Sequence, residues 1–80
     1  MYYVYLIRSL VRPEERYVGS TADLRERMAD HNAGRPSHTA KFKPWELVTY
    51  LAFSSRGKAE QFESYLKSGS GHAFAKKRLW

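Results

Sequence analysis

The segment from Tyr2 to Ile7 constrains the fold of this chain more than any other. It reads Tyr-Tyr-Val-Tyr-Leu-Ile, so apolar residues occupy both alternating faces of an extended strand. Such a strand is typical of the middle of a sheet, where other elements cover each face. We therefore expect a central strand with residues 3, 5 and 7 on one face and residues 2, 4 and 6 on the other.

The rest of the chain alternates between strand and helix signals separated by turn residues. We expect a loop over residues 10–15, a strand over 16–19, a helix over 22–32, a strand over 45–53, and helices over 56–67 and 72–79. Residues 35–44 form a basic, proline-bounded connection with room for a short helical turn. This order predicts an α+β fold, a three-stranded antiparallel β-sheet flanked by helices, in a single domain of residues 1–80.

The boundary between the second strand and the first helix carries several local signals. Gly19 is expected to be a structural turn, because glycine lets the backbone leave the sheet or lets a ligand approach it closely. Ser20 and Thr21 are typical helix caps, and Asp23 follows Ser20 at a spacing close to that of a capping box. Gly34 is expected to end the helix, because glycine is common just past a helix C-terminus.

Composition limits the class of protein. The 80 residues include no cysteine, which excludes disulfides and cysteine-based zinc sites, and the three histidines lack paired metal-ligand spacing. A formal charge of +6 favours a polyanionic partner such as nucleic acid. No apolar run approaches membrane-spanning length and no leader pattern is present, so we expect a cytoplasmic protein that does not engage membranes.

Polar side chains near the edges of the predicted apolar stripes are the candidates for chemistry. On a helical wheel of about 100° per residue, Arg27 and His31 share or border the stripe of Leu24 in the first helix. In the helix over 56–67, Glu63 lies at the rim of the stripe, whereas Glu60 is exposed. A charged group at the edge of a core is costly to keep there unless something uses it.

Each candidate also has an ordinary structural explanation. Strand tyrosines such as Tyr17 are usually packing residues, and an arginine and a glutamate at stripe edges often form an ion pair. A histidine in a stripe is usually a hydrogen-bonded core residue. The acids Glu26 and Asp30 of the first helix point away from the stripe and are expected to be exposed. We nevertheless expect a site, because the candidates converge from two strands and two helices.

Together, these groups fit metal-assisted hydrolysis of a phosphodiester. A single carboxylate suits a Mg²⁺ ion that takes its remaining ligands from water and phosphate oxygens. Arginine offers a planar, permanently charged fork for a phosphate that gains negative charge in the transition state. A tyrosine, with an ordinary pKa of about 10, activates water only when a metal or a hydrogen bond helps to remove its proton.

Several short motifs resemble those of the GIY-YIG nuclease superfamily. They are, in order, Tyr3-Val4-Tyr5, Tyr17-Val18-Gly19, Leu24-x-x-Arg27-x-x-x-His31, and Ala59-x-x-x-Glu63-x-x-Leu66-Lys67. The match spans nearly the whole chain, and residues 65–71 and 74–79 are similar to the small single-domain bacterial members. The resemblance implies the family fold, a three-stranded antiparallel sheet flanked by helices, which agrees with the fold expected above.

By position, the resemblance implies a role for each residue of the candidate site. Tyr17 matches the tyrosine that activates the attacking water, and Tyr5 matches the one that orients water or phosphate. Arg27 matches the arginine that stabilises the phosphate. Glu63 matches the carboxylate that holds a single divalent ion, Mg²⁺ or Mn²⁺. His31 matches a residue that helps to position the nucleophile or its proton acceptor.

The sequence departs from the family pattern at a few positions. Gly19 matches the turn glycine beneath the site, but Ser20 stands where some relatives place a lysine, so one phosphate contact is missing. Valines 4 and 18 replace isoleucines and Tyr3 replaces a glycine, changes that leave the catalytic set intact. Contact with DNA phosphates is expected from the basic residues Lys41, Lys43, Arg56, Lys58, Lys67, Lys76, Lys77 and Arg78.

We therefore expect a divalent-metal-dependent DNA endonuclease that serves DNA repair and selects branched or single-stranded DNA by structure rather than by sequence. Two alternatives stay open. One is a non-catalytic or weakly catalytic nucleic-acid-binding module, and the other is a nuclease subunit that a partner protein targets. The intact set of Tyr17, Arg27, His31 and Glu63 favours the nuclease, because binding alone does not require a carboxylate near phosphate.

Overall fold

The strand expected to be central lies between the other two strands of one antiparallel sheet. The computed structural model describes residues 1–80. Its elements are β1 (Tyr2–Ser9), β2 (Arg16–Thr21), α1 (Leu24–Ala33), α2 (Ser37–Ala40), β3 (Trp45–Phe53), α3 (Arg56–Leu66) and α4 (Gly69–Arg78). The sheet order is β2-β1-β3, which confirms the expected α+β architecture.

The central strand β1 buries both of its faces, as its sequence requires. Val4 and Leu6 pack against α3 and α4 on one face. Tyr5 and Ile7 pack with Trp45 on the other face, where side chains of α1 complete the cluster. The helices therefore cover the sheet on both sides, and β2 and β3 form its two edges.

Gly19 is not a turn residue, because it lies inside β2 opposite Tyr5 of β1. β2 continues to Thr21, so Ser20 and Thr21 are strand residues rather than helix caps. The turn prediction was wrong because pairing with β1 continues through both of these residues. The glycine instead allows a close approach within the protein: a Cβ atom at Gly19 would lie 2.5 Å from the Tyr5 hydroxyl oxygen.

The helix α1 begins at Leu24, two residues later than expected. Its N-cap is Asp23, whose side chain accepts a hydrogen bond of 3.0 Å from the backbone nitrogen of Glu26. Gly34 ends the helix in the left-handed conformation with φ 79, as predicted. The short helix α2 lies within residues 35–44, where the sequence left room for a helical turn.

The helix α4 begins at Gly69 rather than at His72. Its N-cap is Ser68, whose side chain accepts a hydrogen bond from the backbone nitrogen of Gly71. The Gly-Ser-Gly sequence is typical of an interruption between helices, which is why a later start was expected. Gly71 is needed where α4 meets the end of α3, because a Cβ atom there would overlap the Tyr65 carbonyl. All four helices are short, and none combines the length and apolarity needed to cross a membrane.

Candidate active site

Tyr5, Arg27 and His31 meet in a hydrogen-bonded group on the α1 face of the sheet. The Tyr5 hydroxyl oxygen lies 2.9 Å from Nε2 of His31 and accepts a hydrogen bond of 3.3 Å from Nε of Arg27. On the other side of its ring, Nδ1 of His31 lies 2.9 Å from the hydroxyl oxygen of Thr39. Arg27 and His31 are one turn apart on α1, and this spacing brings both of them to the strand tyrosine.

Burial determines the protonation of this group. His31 is fully buried, and burial together with the nearby charge of Arg27 lowers its pKa to about 4. Burial also raises the pKa of Tyr5, although the hydrogen bond from Arg27 opposes that shift. At neutral pH the imidazole is therefore uncharged, the Tyr5 hydroxyl keeps its proton, and the positive charge of the group lies on Arg27.

Tyr17 lies beside this group at the edge of the sheet. It shares a face with Tyr5, and the two ring centroids are 6.3 Å apart. Its ring centroid is 5.3 Å from that of His31 and 5.2 Å from that of His38. Aromatic neighbours therefore hold the half-buried Tyr17 ring on two sides, while part of the residue remains open to solvent.

Glu63 lies on the opposite face of the sheet, where two neighbours hold both of its carboxylate oxygens. Ser20 donates a hydrogen bond of 2.6 Å to Oε1, and Lys67 donates one of 2.8 Å to Oε2. Burial acts to raise the pKa of Glu63, but the bonds from Lys67 and Ser20 outweigh it and lower the pKa below its ordinary value. The Glu63 side chain is 22% exposed and that of Glu60 is 55% exposed, which confirms their predicted rim and exposed positions.

Lys67 connects the two faces of this site. While bound to Glu63, its ammonium nitrogen also lies 5.7 Å from the centroid of the Tyr17 ring. The edge strand passes between the two faces at Gly19, where the Tyr5 hydroxyl group lies close to the backbone. The β2 edge at this point therefore carries phenols and a guanidinium on one face and a carboxylate on the other.

A metal ion at this site would have one protein carboxylate as its ligand. No group of three or more histidine, aspartate or glutamate side chains is placed to hold a metal ion. Glu63 alone suits an ion such as Mg²⁺, which keeps water and phosphate oxygens as most of its ligands. The Lys67 ammonium already binds Oε2 of this carboxylate, so the position beside Oε2 accepts positive charge. The residues present therefore fit a single, largely hydrated divalent ion.

Three polar residues make contacts that were not predicted from the sequence. Asp30 was expected to be exposed, but its side chain is only 23% exposed because it binds Arg35 at 2.6 Å and approaches Arg27 at 4.0 Å. A helical wheel does not include Arg35, which lies beyond the end of α1. Ser20 was expected to cap a helix. Alternation along a strand that continues to residue 20 would have placed its side chain on the face opposite that of Tyr17. Nothing in the sequence pointed to Thr39.

The basic residues expected to contact DNA belong to elements on opposite faces of the sheet. Lys76, Lys77 and Arg78 form the last turn of α4, on the Val4 face. Lys41 lies over the ring of Phe42, which packs on the Tyr5 face, and Lys43 follows in the same segment. Among the residues expected to contact DNA, Lys67 is the one that the structure places directly within the candidate site.

A groove of about 310 Å³ continues the site from Tyr17 toward α4. Its polar and aromatic lining includes Arg16, Lys67, His72 and Trp80, and no acidic residue takes part. The Arg16 guanidinium lies 5.0 Å from the centroid of the Trp80 ring. Neither Arg16 nor His72 was predicted from the sequence to belong to a site. Positive charge therefore extends beyond the residues that were predicted.

Comparison with known proteins gives a family match and a set of fungal relatives. A family model described as the GIY-YIG catalytic domain matches residues 1–77. The "Structure-specific endonuclease subunit SLX1" of Ajellomyces capsulatus is 40% identical over 68 residues, which cover 78% of this chain and 16% of that protein. Its namesake in Debaryomyces hansenii is 38% identical over 73 residues, which cover 82% of this chain and 21% of that protein.

These relatives correct one expectation from the sequence. The endings at residues 65–71 and 74–79 were expected to indicate small single-domain bacterial members, but the relatives named above are fungal and far longer than this chain. The chain spans about a fifth or less of the length of these relatives. The family match over residues 1–77 includes Tyr5, Tyr17, Arg27, His31 and Glu63.

Proposed function

This chain belongs to the GIY-YIG family, and on that premise we propose that it is a DNA endonuclease that hydrolyses phosphodiester bonds with one divalent ion. We further propose that residues 1–80 act as a single nuclease domain, and that it selects DNA by structure rather than by sequence. The SLX1 relatives are named as structure-specific endonuclease subunits, which supports this choice of substrate.

One observation carries the proposal: an acid, a permanent cation and two phenols flank the same short stretch of edge strand. Ser20 donates a hydrogen bond to Glu63, and Gly19, the residue before Ser20, lies against Tyr5. Lys67 joins the carboxylate to the ring of Tyr17 across this edge. A phosphate laid along the β2 edge at Gly19 would meet groups from both faces.

Arg27 is the residue that we assign to the phosphate. Its Nε is used by the Tyr5 hydroxyl, which leaves the terminal nitrogens of the guanidinium for a further partner. Asp30 lies 4.0 Å from one of those nitrogens, too far for a strong competing hydrogen bond. A guanidinium held in this way would stabilise the negative charge that gathers on phosphate as the bond to the attacking oxygen forms.

Tyr17 is the residue that we assign to activation of the attacking water. A phenol with an ordinary pKa of about 10 needs nearby positive charge to act as a base at neutral pH. The ammonium of Lys67 lies over its ring, and part of the side chain is open to solvent. Tyr5 is enclosed by comparison, at 1% exposure, so we assign to it the support of Arg27 rather than contact with water.

Glu63 is the residue that would hold the divalent ion, Mg²⁺ or Mn²⁺. When bound, the ion would supply positive charge to the phosphate and to the leaving oxygen. The chain's own contribution is a carboxylate whose pKa is lowered by Lys67 and Ser20, so that it is ionised across the neutral range. Ser20 fixes the direction of that carboxylate through Oε1, which leaves Oε2 as the exchangeable position.

The groove beside Tyr17 is the path that we propose for the strand next to the cleaved bond. Its lining carries Arg16, Lys67 and His72 and no acid, which suits a phosphate backbone. Contacts of this kind are sensitive to salt and carry little sequence information. Recognition of DNA structure would then come from the shape of the substrate at the β2 edge.

A second candidate is a nuclease subunit whose targeting comes from another protein. The SLX1 relatives are named as subunits and are much longer than this chain. Within residues 1–80, all seven elements build one sheet and its cover, and no element is left to form a separate DNA-reading unit. In this second form the same site would cut DNA, but selection would require the partner.

The decisive experiment compares two glutamates on one helix. Purified protein is incubated with branched, single-stranded and plasmid DNA, in Mg²⁺ or in EDTA. We expect metal-dependent cleavage that is lost in Glu63→Gln and retained in Glu60→Gln, because Glu60 is exposed and pairs only with Arg56. Arg27→Ala should lower kcat by about 100-fold or more.

The outcomes separate the candidates. Cleavage of branched DNA by the protein alone supports the structure-selective nuclease. Binding with no cleavage of any substrate would favour the weakly catalytic binding module instead. Cleavage that appears or becomes selective only when a cell extract is added would favour the targeted subunit. Loss of activity in Glu60→Gln with retention in Glu63→Gln would contradict the site itself.

A further inference from the structure

A chain of buried and partly buried hydrogen bonds runs from Arg27 to the backbone of the segment after α1. It links Nε of Arg27 to the Tyr5 hydroxyl, that hydroxyl to Nε2 of His31, and Nδ1 of His31 to the hydroxyl of Thr39. The Thr39 hydroxyl in turn lies 3.2 Å from the carbonyl oxygen of Pro36. His31 is 0% exposed and Thr39 is 2% exposed, so both side chains are shielded from bulk solvent.

The direction of every bond in this chain follows from its first member. Arginine is always a donor, so the oxygen of Tyr5 accepts from Arg27. The Tyr5 proton then needs an acceptor, and Nε2 of His31 is the one within hydrogen-bond distance. That nitrogen must be unprotonated, so neutral His31 carries its proton on Nδ1 and donates it to Thr39. The Thr39 proton goes to the carbonyl of Pro36.

The reverse direction leaves a polar group without a partner. If Thr39 donated to Nδ1, His31 would carry its proton on Nε2 and donate to Tyr5. The Tyr5 oxygen would then accept from both His31 and Arg27, and its own buried proton would have no acceptor. An unmade hydrogen bond in a buried site is costly, so the first direction is the stable one.

We infer that Thr39 is a positioning residue: by accepting a hydrogen bond from Nδ1 it stabilises the tautomer and the ring position of His31 through which Tyr5 holds the Arg27 guanidinium at the site. Arg27 has a weak second contact at 4.0 Å from Asp30, so the bond to Tyr5 is its principal fixed point. Thr39 touches no substrate in this scheme. Its influence on cleavage rests on the nuclease function proposed above, whereas its influence on the tautomer does not.

The test replaces Thr39 by residues that differ in one feature. Thr39→Val keeps the branched shape and removes the hydroxyl, and Thr39→Ser keeps the hydroxyl. Thr49→Val is the matched control, because the Thr49 hydroxyl donates a 2.6 Å bond to the Leu79 carbonyl in another part of the fold. The full chain is labelled with nitrogen-15, and the imidazole nitrogens of His31 and Nε of Arg27 are followed by NMR at pH 7.

We expect the wild type, Thr39→Ser and Thr49→Val to show His31 protonated on Nδ1. In Thr39→Val the Nδ1 proton of His31 has lost its acceptor and should exchange with water faster, and the Arg27 Nε–H should also exchange faster because the ring that accepts from Tyr5 is no longer held in place. With cleavable DNA, kcat in Thr39→Val should fall about tenfold or more with little change in KM, and Thr39→Ser should restore most of it.

Two results would overturn the inference. One is a wild-type His31 protonated on Nε2, and the other is a Thr39→Val variant in which the Nδ1 proton of His31 and the Nε proton of Arg27 exchange with water as slowly as in the wild type. Neither result depends on catalysis. If the wild-type protein cuts no DNA, the proposed function fails while the NMR comparison still decides the role of Thr39.

Discussion

The ammonium nitrogen of Lys67 lies 2.8 Å from Oε2 of Glu63 and 5.7 Å from the centre of the Tyr17 ring. One cation therefore lies between the carboxylate that we assign to the metal and the phenol that we assign to the water. A divalent ion that occupied the proposed position at Oε2 would have to displace this ammonium, which would then be free to contact a phosphate. Lys67 and the ion would in this sense compete for one oxygen.

Lys67→Met should tighten the binding of a divalent ion to the free protein. Methionine keeps an apolar side chain of similar length but removes the competing charge, and an exposed pair at this helical spacing contributes roughly 0.5 kcal/mol, about a twofold change in affinity. Titration of Mn²⁺ followed by electron paramagnetic resonance measures the free ion directly. Lys58→Met, on the first turn of the same helix, is the control and should leave the affinity unchanged. Weaker Mn²⁺ binding in Lys67→Met would argue that Lys67 supports the ion.

Stability should fall as the pH drops from neutral toward 5, because of His31. Burial lowers the pKa of His31 to about 4 in the folded protein, below its ordinary value, so the unfolded chain binds a proton first. The stability contributed by the neutral imidazole is complete above about pH 6.5 and is lost as the pH falls toward 4, by about 2 kcal/mol between pH 7 and pH 5. Urea unfolding at a series of pH values measures the slope.

Two histidine variants check the source of that slope. His31→Gln should be less stable overall but should lose most of the dependence between pH 7 and pH 5. His38→Gln, at an exposed residue, should keep it. Glu63, whose pKa is lowered in the folded protein, also contributes stability. That contribution is lost only at more acidic pH, as the pH falls through the folded-state pKa. A slope that is the same in the His31 variant would assign the effect to another group.

Gly19→Ala should damage both stability and cleavage. The new Cβ atom would lie 2.5 Å from the Tyr5 hydroxyl oxygen and 3.0 Å from a ring carbon of Tyr17, so both rings would have to move. Overpacking of this kind costs about 1–3 kcal/mol, which thermal unfolding would detect. Gly69→Ala is the matched control, because no atom lies within 4 Å of the position its Cβ would take. An equal loss in both variants would contradict a close-contact role for Gly19.

Arg16→Ala should weaken DNA binding through the groove and make it less sensitive to salt. Removing one phosphate contact lowers the slope of log affinity against log salt by about 1. Fluorescence anisotropy with a labelled oligonucleotide, measured between about 50 and 200 mM salt, gives both the affinity and this slope. Arg25→Ala, on α1 across the sheet, is the control. An unchanged slope in Arg16→Ala would exclude the groove as the path of the strand.

The parts of this structure that were predictable from sequence are those set by short-range patterns. The burial of Tyr5 follows from the apolar residues on both faces of β1, which are typical of a central strand. The choice of Glu63 over Glu60, and of Arg27 with His31, follows from the 3.6-residue period of the helices. Each of these depends on where a side chain lies relative to its own element, which neighbouring residues largely determine.

The parts that were missed depend on contacts between distant segments. Ser20 meets Glu63 across 43 positions of sequence, and no local signal distinguishes such a serine from a helix cap. The early start of α4 at Gly69 depends on how closely Gly71 approaches the end of α3. The role of Thr39 depends on its hydrogen bond to His31, which exists only in the folded structure. Tertiary packing decides all three.

The location of Tyr5 in the central strand has a consequence for how this protein could lose its activity through mutation. Tyr5 stands between Val4 and Leu6, which are both fully buried, and a change there removes part of the framework as well as part of the site. Arg27 and Glu63 lie nearer the surface and support less of the interior. Folded but inactive descendants of this protein should therefore arise first by replacement of the arginine or the glutamate, with the tyrosine left in place.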